Sequence, residues 1–289
     1  MNYQHPSFRY LTILYSALLI LGCDNAKTTV KSQNSALVTD TVKITPSVYK
    51  KAEIDSNHLN NTEFDLAKLT SQDLNMVSFL QEGEKLEHYK DGKPLKQYLE
   101  LEVIDQSLFE AKKVSSVDFL LADTLALTKN DGVIELICKK NTVQYVDKPD
   151  AEEDRQVYNY VGQIEFLNKY VISGSYWEDS DYKLIDKTSG ESETFGDYPF
   201  ISADKKSIVC IKPNPYETTG DLELYSINNG KMKFIMGASF TNWMPATEED
   251  VAFWSTDGYF YFVAFHSKEF WHQDGKLNAQ YQYLRLKVL

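Results

Sequence analysis

The chain is short of the residues that chemistry usually needs. Its 289 residues hold three cysteines and five histidines. No C-x-x-C, H-E-x-x-H, Walker loop or G-x-S-x-G elbow occurs; Gly237-Ala-Ser239 lacks the second glycine. Basic charge is scarce too, with 30 Lys and Arg against 42 Asp and Glu, net −12. That balance disfavours a phosphate-tracking nucleic-acid binder, which needs clustered Lys and Arg. It equally repels an anionic membrane surface, and it favours solubility. There is no apolar run of bilayer-spanning length; Leu11–Leu21 gives about twelve residues, the size of a signal-peptide core.

Apolar and aromatic residues are plentiful, at 43% and 13%, enough for one large domain or two small ones. The N-terminus carries the sharpest pattern. Met1–Tyr10 is polar with Arg9 as its one basic side chain, Leu11–Leu21 is apolar, and Gly22-Cys23-Asp24-Asn25 follows. Ile20-Leu21-Gly22-Cys23 resembles the lipobox of bacterial lipoprotein signals, although Leu21 stands where a small residue is usual. The resemblance implies cleavage after residue 22, a lipid on Cys23 and a place in the cell envelope, periplasmic or surface-facing. A thiolate is the common side chain nucleophilic enough for that acylation. Each buried CH₂ adds roughly 0.8 kcal/mol, so two or three acyl chains anchor firmly. An ordinary signal peptide and an uncleaved anchor are the alternatives, and Asp24 leaves the leaflet open. The mature chain would carry 29 basic and 42 acidic side chains, net −13.

Residues 23–60 are rich in Ser, Thr, Asn and Lys, with no aromatic before Tyr49. They suit a flexible tether of about 30–35 Å r.m.s. span. Residues 61–116 read as a small mixed α/β segment: a short helix within Leu69–Leu80 capped by Thr70 or Ser71, a strand over Gln97–Ile104, and a helical turn over Gln106–Lys112.

From residue 117 the pattern turns to short β runs and regular turns. Four units of strand, tight turn, strand, loop and strand are expected. They run Leu125–Thr128, Val133–Cys138, Val143–Asp147; Tyr160–Phe166, Tyr170–Ser173, Tyr182–Asp186; Pro199–Ser202, Ser207–Ile211, Leu222–Ile227; and Val251–Trp254, Tyr259–Phe265, Tyr281–Val288. Their second strands start at 133, 170, 207 and 259, the last step stretched by an insertion around Trp243–Asp250. A period near forty with several strands per unit suits propeller blades. Tyr182-Lys-Leu-Ile-Asp-Lys-Thr-Ser-Gly190 and Phe200-Ile-Ser-Ala-Asp-Lys-Lys206 resemble the TolB-like and WD-like repeat, with Ala203 for its proline and Lys205 for its glycine. The fold class expected over 117–289 is therefore mainly β, propeller-like antiparallel sheets, with a β-sandwich of hairpins as the alternative. Cys138 and Cys210 are expected as buried free thiols, two units apart and too distant to pair.

In such a propeller the loops after the second strands emerge on one face: Ser175–Asp181, Lys212–Gly220 and His266–Lys276. They carry Tyr176, Trp177, Tyr216, Phe270 and Trp271 among polar neighbours, as recognition surfaces do. The candidate binding residues are Tyr176, Trp177, Asp179, Asp181, Tyr216, Trp271 and His272, and Trp243 and Trp254 belong to the core. His266 and His272 with Glu269 and Asp274 fit no metal-ligand spacing and read as solvent-exposed loop residues. Glu178-Asp179-Ser180-Asp181 lacks the continuation of a calcium loop and reads as a solvated acidic turn. No cofactor and no catalytic residue is implied. Besides the membrane reached through the lipid, an envelope protein or glycan is the expected partner. A hydrolase whose acids converge from several loops (Asp179, Asp181, Glu217, Glu269) and a structural envelope protein without a dedicated site are the alternatives.

The lipid assignment is directly testable. Cys23→Ser should abolish palmitate labelling and leave the uncleaved precursor; label retained by the variant would sink the assignment.

Overall fold

In the computed structural model, residues 65–289 are described, apart from 81–85, 90–94, 126, 152, 215–218, 247–250 and 270–279. Residues 1–64, which include the expected signal peptide, Cys23 and the expected tether, lie outside the described residues, as do Tyr216, Glu217, Phe270, Trp271 and His272. Among the described residues no helix is long and apolar enough to cross a membrane.

The fold is mainly β with one short helix. In chain order come β1 (Met76–Leu80), β2 (Leu86–Tyr89), β3 (Leu99–Ile104), α1 (Gln106–Lys113) and β4 (Ser116–Val117). A hairpin follows, β5 (Val133–Ile137) and β6 (Thr142–Val146). Next is a meander of β7 (Gln156–Ile164), β8 (Lys169–Tyr176), β9 (Ser180–Asp186) and β10 (Ser192–Phe195). A second meander contains β11 (Phe200–Ile201), β12 (Ser207–Asn214), β13 (Thr219–Asn228) and β14 (Lys231–Phe240). The chain closes with β15 (Trp243–Pro245), β16 (Ala252–Ser255), β17 (Phe260–His266) and β18 (Tyr281–Val288).

All pairings between named strands are antiparallel. β7–β10 form a four-stranded sheet on their own. The second meander gains β1 and β2 beside β14, giving the central sheet of six strands. The C-terminal sheet runs β3-β18-β17-β16-β4, with β15 also on β17. The early elements thus enter sheets built by the end of the chain, Leu99 opposite Val288.

These sheets stack in chain order, and side-chain alternation explains why. A strand sends successive residues to opposite faces. In β12, Ile208 and Cys210 join the core shared with the β7–β10 sheet, while Val209 and Ile211 join the core shared with the C-terminal sheet. In β8 and β9, Val171 and Leu184 face the central sheet, whereas Ile172 and Ile185 face the β5–β6 hairpin. β17 divides likewise, Phe260, Phe262 and Ala264 inward and Tyr261 and Val263 toward Phe109 of α1. Asp105 caps that helix by accepting from the Leu108 amide at 2.7 Å.

The order is therefore hairpin, β7–β10 sheet, central sheet, C-terminal sheet, helix. No closed or propeller arrangement is detected among the described residues. The two ends of the stack differ: α1 covers one, and the hairpin leaves Ile137 73% exposed beside Glu135 and Gln144 at the other. The units are also unequal, with six, four, six and two strands rather than a repeated blade.

Several expectations need correction. Thr70 does cap, with a full capping box to Asp73, but the helix is one 3₁₀ turn, Ser71–Asp73, and Met76–Leu80 is a strand on β14. No strand forms at the described residues of the expected Leu125–Thr128 strand, 125, 127 and 128, and Leu125 is 97% exposed. Within the supposed insertion, Trp243–Pro245 pairs with β17. His266 is not a loop residue but the buried end of β17, 3% exposed and edge-on to Trp243 at 4.6 Å. Burial pulls its imidazole down to about 4, so it is neutral at pH 7. Trp243 and Trp254 are buried in the core, and Cys138 and Cys210 are free thiols in different cores.

Lys205 occupies the glycine position of the β11–β12 hairpin with a left-handed φ of +61°. Its ammonium lies 4.8 Å from the Phe119 ring centre and 4.6 Å from that of Phe166. Cation–π attraction of about 0.5–1 kcal/mol offsets backbone strain of similar size. Lys205→Gly should therefore leave stability within about 1 kcal/mol of wild type, since it loses the attraction and relieves the strain. Lys205→Ala should be the less stable of the two; equal or reversed urea midpoints would remove this account.

Candidate functional site

Side-chain parity builds the site. Lys212 follows Ile208 and Cys210 on the face of β12 that looks toward the β7–β10 sheet, two residues beyond the core. There its ammonium reaches the β8–β9 turn, paired with Asp179 and donating to the Ser180 carbonyl at 2.9 Å. The turn is closed by the Tyr176 amide donating to the Asp179 carbonyl at 2.8 Å, and Asp179 also accepts from the Ser180 amide at 2.8 Å. Trp177 stands at the tip, 61% exposed.

The linker between the two meanders supplies the opposite wall. The Tyr198 amide donates to Asp197 at 2.6 Å, and the Tyr198 phenol donates to Asp118 at 3.0 Å. The Tyr198 ring packs edge-on against Tyr182 at 5.5 Å and Phe200 at 4.8 Å. Behind the linker, Glu223 lies opposite Cys210 and accepts from the Gly196 amide at 3.1 Å and the Tyr225 phenol at 3.0 Å.

Between these walls lies a cleft of about 850 Å³, within the usual range of small-molecule sites. Its lining includes Asp118, Tyr176, Trp177, Asp179, Tyr182, Asp197, Tyr198 and Lys212. Burial pushes the Asp197 carboxyl up, and Glu223 adds to this against the Tyr198 amide and Lys212. Burial also raises Asp179, but there the bonds from Lys212 and Ser180 prevail and hold it below the usual carboxylate value. Burial and then the Asp118 carboxylate push the Tyr198 phenol far up, so it remains a donor.

Tyr176 and Asp181 line the cleft from the hairpin side of the sheet. Tyr176 lies back along its strand over Gly174 and donates to both Asp181 oxygens at 3.0 Å, while Lys183 pairs with the same carboxylate. Burial and this bond bring the Tyr176 phenol to about 12. A Cβ on Gly174 would fall 2.5 Å from Asp181 Oδ1 and 2.6 Å from the Tyr176 oxygen, so the arrangement requires glycine.

Of the sequence candidates, the cleft brings together Tyr176, Trp177, Asp179 and Asp181. The acidic turn is not simply solvated, since Asp179 and Asp181 each hold a lysine. Glu269 lies outside the lining, and Glu217, Tyr216, Trp271 and His272 lie outside the described residues. Sequence reasoning missed Asp118, Asp197 and Tyr198. Gly196-Asp197-Tyr198-Pro199 was legible as a turn, but nothing local places it opposite residue 177. Among the described residues, no group of three or more His, Cys, Asp or Glu is placed to hold a metal ion.

No family model matches the chain, and comparisons with curated proteins and with solved structures give no match either. Fold and cleft therefore carry the functional argument by themselves.

Gly174→Ala should cost about 1–2 kcal/mol by breaking the Tyr176–Asp181 bond without unfolding the sheet. Tyr176→Phe should then cost almost nothing further in the alanine background, while costing about 1 kcal/mol in wild type. Additive losses in urea unfolding would show that the glycine serves something else.

Proposed function

We propose that the protein is a lipid-anchored binding module of the cell envelope, and that its ligand, a glycan or a protein, sits in the cleft between the β8–β9 turn and the Asp197–Phe200 linker. The observation that carries this is Trp177: a large aromatic held 61% exposed at a cleft, on a turn clamped to the next sheet through Asp179 and Lys212. Exposed rings on rigid supports suit recognition, because little side-chain entropy is lost on binding. Of the two segments expected to share one face, Ser175–Asp181 lines the cleft throughout, and Lys212–Gly220 contributes Lys212 and Pro213 from the end of β12. The lipid on Cys23 remains the means of attachment, given a net charge of −12.

A second reading, hydrolysis, has one observation in its favour. Asp197 is pushed toward its protonated form while Asp179 is held ionised, in the same cleft. Carboxyls driven apart in this way suit an acid and its ionised partner.

Capture tests the module reading. The full chain, purified from membranes in detergent, is incubated with envelope extract and compared with folded Trp177→Ala. A retained component that falls at least about tenfold with the variant, the size of one lost hot spot, is the expected result. Equal retention by both proteins would overturn the cleft as the binding face.

A further inference from the structure

The same cleft carries features that narrow its ligand class, and the narrowing rests on the module reading above. We propose that the cleft takes a neutral carbohydrate chain, with the apolar face of a sugar ring laid on Trp177 and its hydroxyls bonded to the wall formed by Asp118, Asp197 and Tyr198.

Three observations lead there. The first is the mixture of surfaces: Trp177, Tyr182, Tyr198 and Phe200 stand among carboxyls in one cleft of about 850 Å³. A pyranose presents the same mixture, a flat C–H face and a rim of hydroxyls. The second is the state of the carboxylates. Asp179 is paired with Lys212 and Asp181 with Lys183. Asp118 already accepts from the Tyr198 phenol and the Leu120 amide, at 3.0 and 2.9 Å. An ionised carboxylate has about four lone-pair positions, so each keeps acceptor capacity after these bonds. Asp118 is exposed, leaving that capacity open to a ligand. The cleft thus holds fixed, oriented acceptors, two of them, Asp179 and Asp181, already paired with lysines.

The third observation is the sign of what remains. Asp118, Glu178, Asp179, Asp181 and Asp197 line the cleft against Lys212 as its one lining cation among the described residues. Uronates, phosphates and nucleotides would meet repulsion. A cationic ligand would need unanswered negative charge at close range. Asp179 and Asp181 offer little, each being already paired with a lysine, and Asp118 is engaged by the Tyr198 phenol and the Leu120 amide. Neutral hydroxyls are donors themselves and need only oriented acceptors, which Asp118 and Asp197 offer.

The test uses the full chain in detergent, titrated calorimetrically with short neutral oligosaccharides of the glucan, mannan and N-acetylated chitin types. Uronate oligomers and de-acetylated, cationic chitin oligomers serve as charged counterparts. At least one neutral series should bind, and more tightly than either charged counterpart. Trp177→Ala should weaken that binding by about tenfold or more, while Trp177→Phe, which keeps a ring, should retain most of it. Circular dichroism and the urea midpoint verify that both variants fold. Absence of binding by every neutral series, tighter binding of a charged series, or equal binding by Trp177→Ala would each overturn the carbohydrate assignment. A protein captured from envelope extract through Trp177 would leave the module reading standing even then, so the two failures separate. Reducing ends released from a bound neutral chain would support the ligand class and favour hydrolysis over simple retention.

Discussion

Burial of both faces of the interior sheets is the constraint on which the structure depends. Along β12, Ile208, Val209, Cys210 and Ile211 are all buried, yet neighbours in sequence belong to different cores. Each large apolar side chain so buried contributes roughly 1.5–3 kcal/mol. A slip of one residue would exchange the two sets, sending side chains fitted to one neighbouring sheet into the other. Register is therefore fixed twice over, from either side. Trp254 adds a polar tie between central and C-terminal sheets, its indole donating to the Phe200 carbonyl at 2.9 Å.

That same constraint delivers the cleft. Lys212 reaches the β8–β9 turn because it continues the face of Ile208 and Cys210 past the point where the core ends. Tyr182 borders the cleft because it shares a face with Leu184, whose core lies between the two sheets. Asp197 and Tyr198 are brought opposite Trp177 because the chain must cross there from one meander to the next. The side chains of the cleft sit where alternating strands run out of core to bury.

Much of this was legible in the sequence, and what was not has physical reasons. β5, β8, β9, β12, β13 and β17 announce themselves by dense β-branched and aromatic residues between turn signals. β10, Ser-Glu-Thr-Phe, has a single large apolar residue, and only its pairing with β9 makes it a strand. β14 went unread although Asn229-Gly230 before it is a strong hairpin signal, because a forty-residue spacing had already absorbed it as connection. Thr70 and Asp73 mark a helix start by local chemistry, but the partner that makes Met76–Leu80 a strand lies beyond residue 230. The equal spacing of turns suggested equal blades, whereas spacing says nothing about how many strands a sheet recruits from elsewhere. At the cleft, Tyr176, Trp177, Asp179 and Asp181 were visible as an aromatic, acidic loop. Asp118 and Asp197 were not, because their relation to that loop exists only through stacked sheets.

The hairpin end of the stack has a thermodynamic consequence. β5 and β6 bury one face only, and their hydrogen-bonded pairing stands apart from the larger sheets. Opening free energies within a domain follow how much apolar contact an element would surrender, so this layer sits at the shallow end and β12 and β17 at the deep end. The hairpin nevertheless packs Tyr145 against Tyr158, whose ring meets Tyr176 at the cleft. The layer with the least apolar contact to surrender is thereby in ring contact, through three tyrosines, with the rim of the cleft, so the margin of the molecule and its cleft share one run of packed side chains.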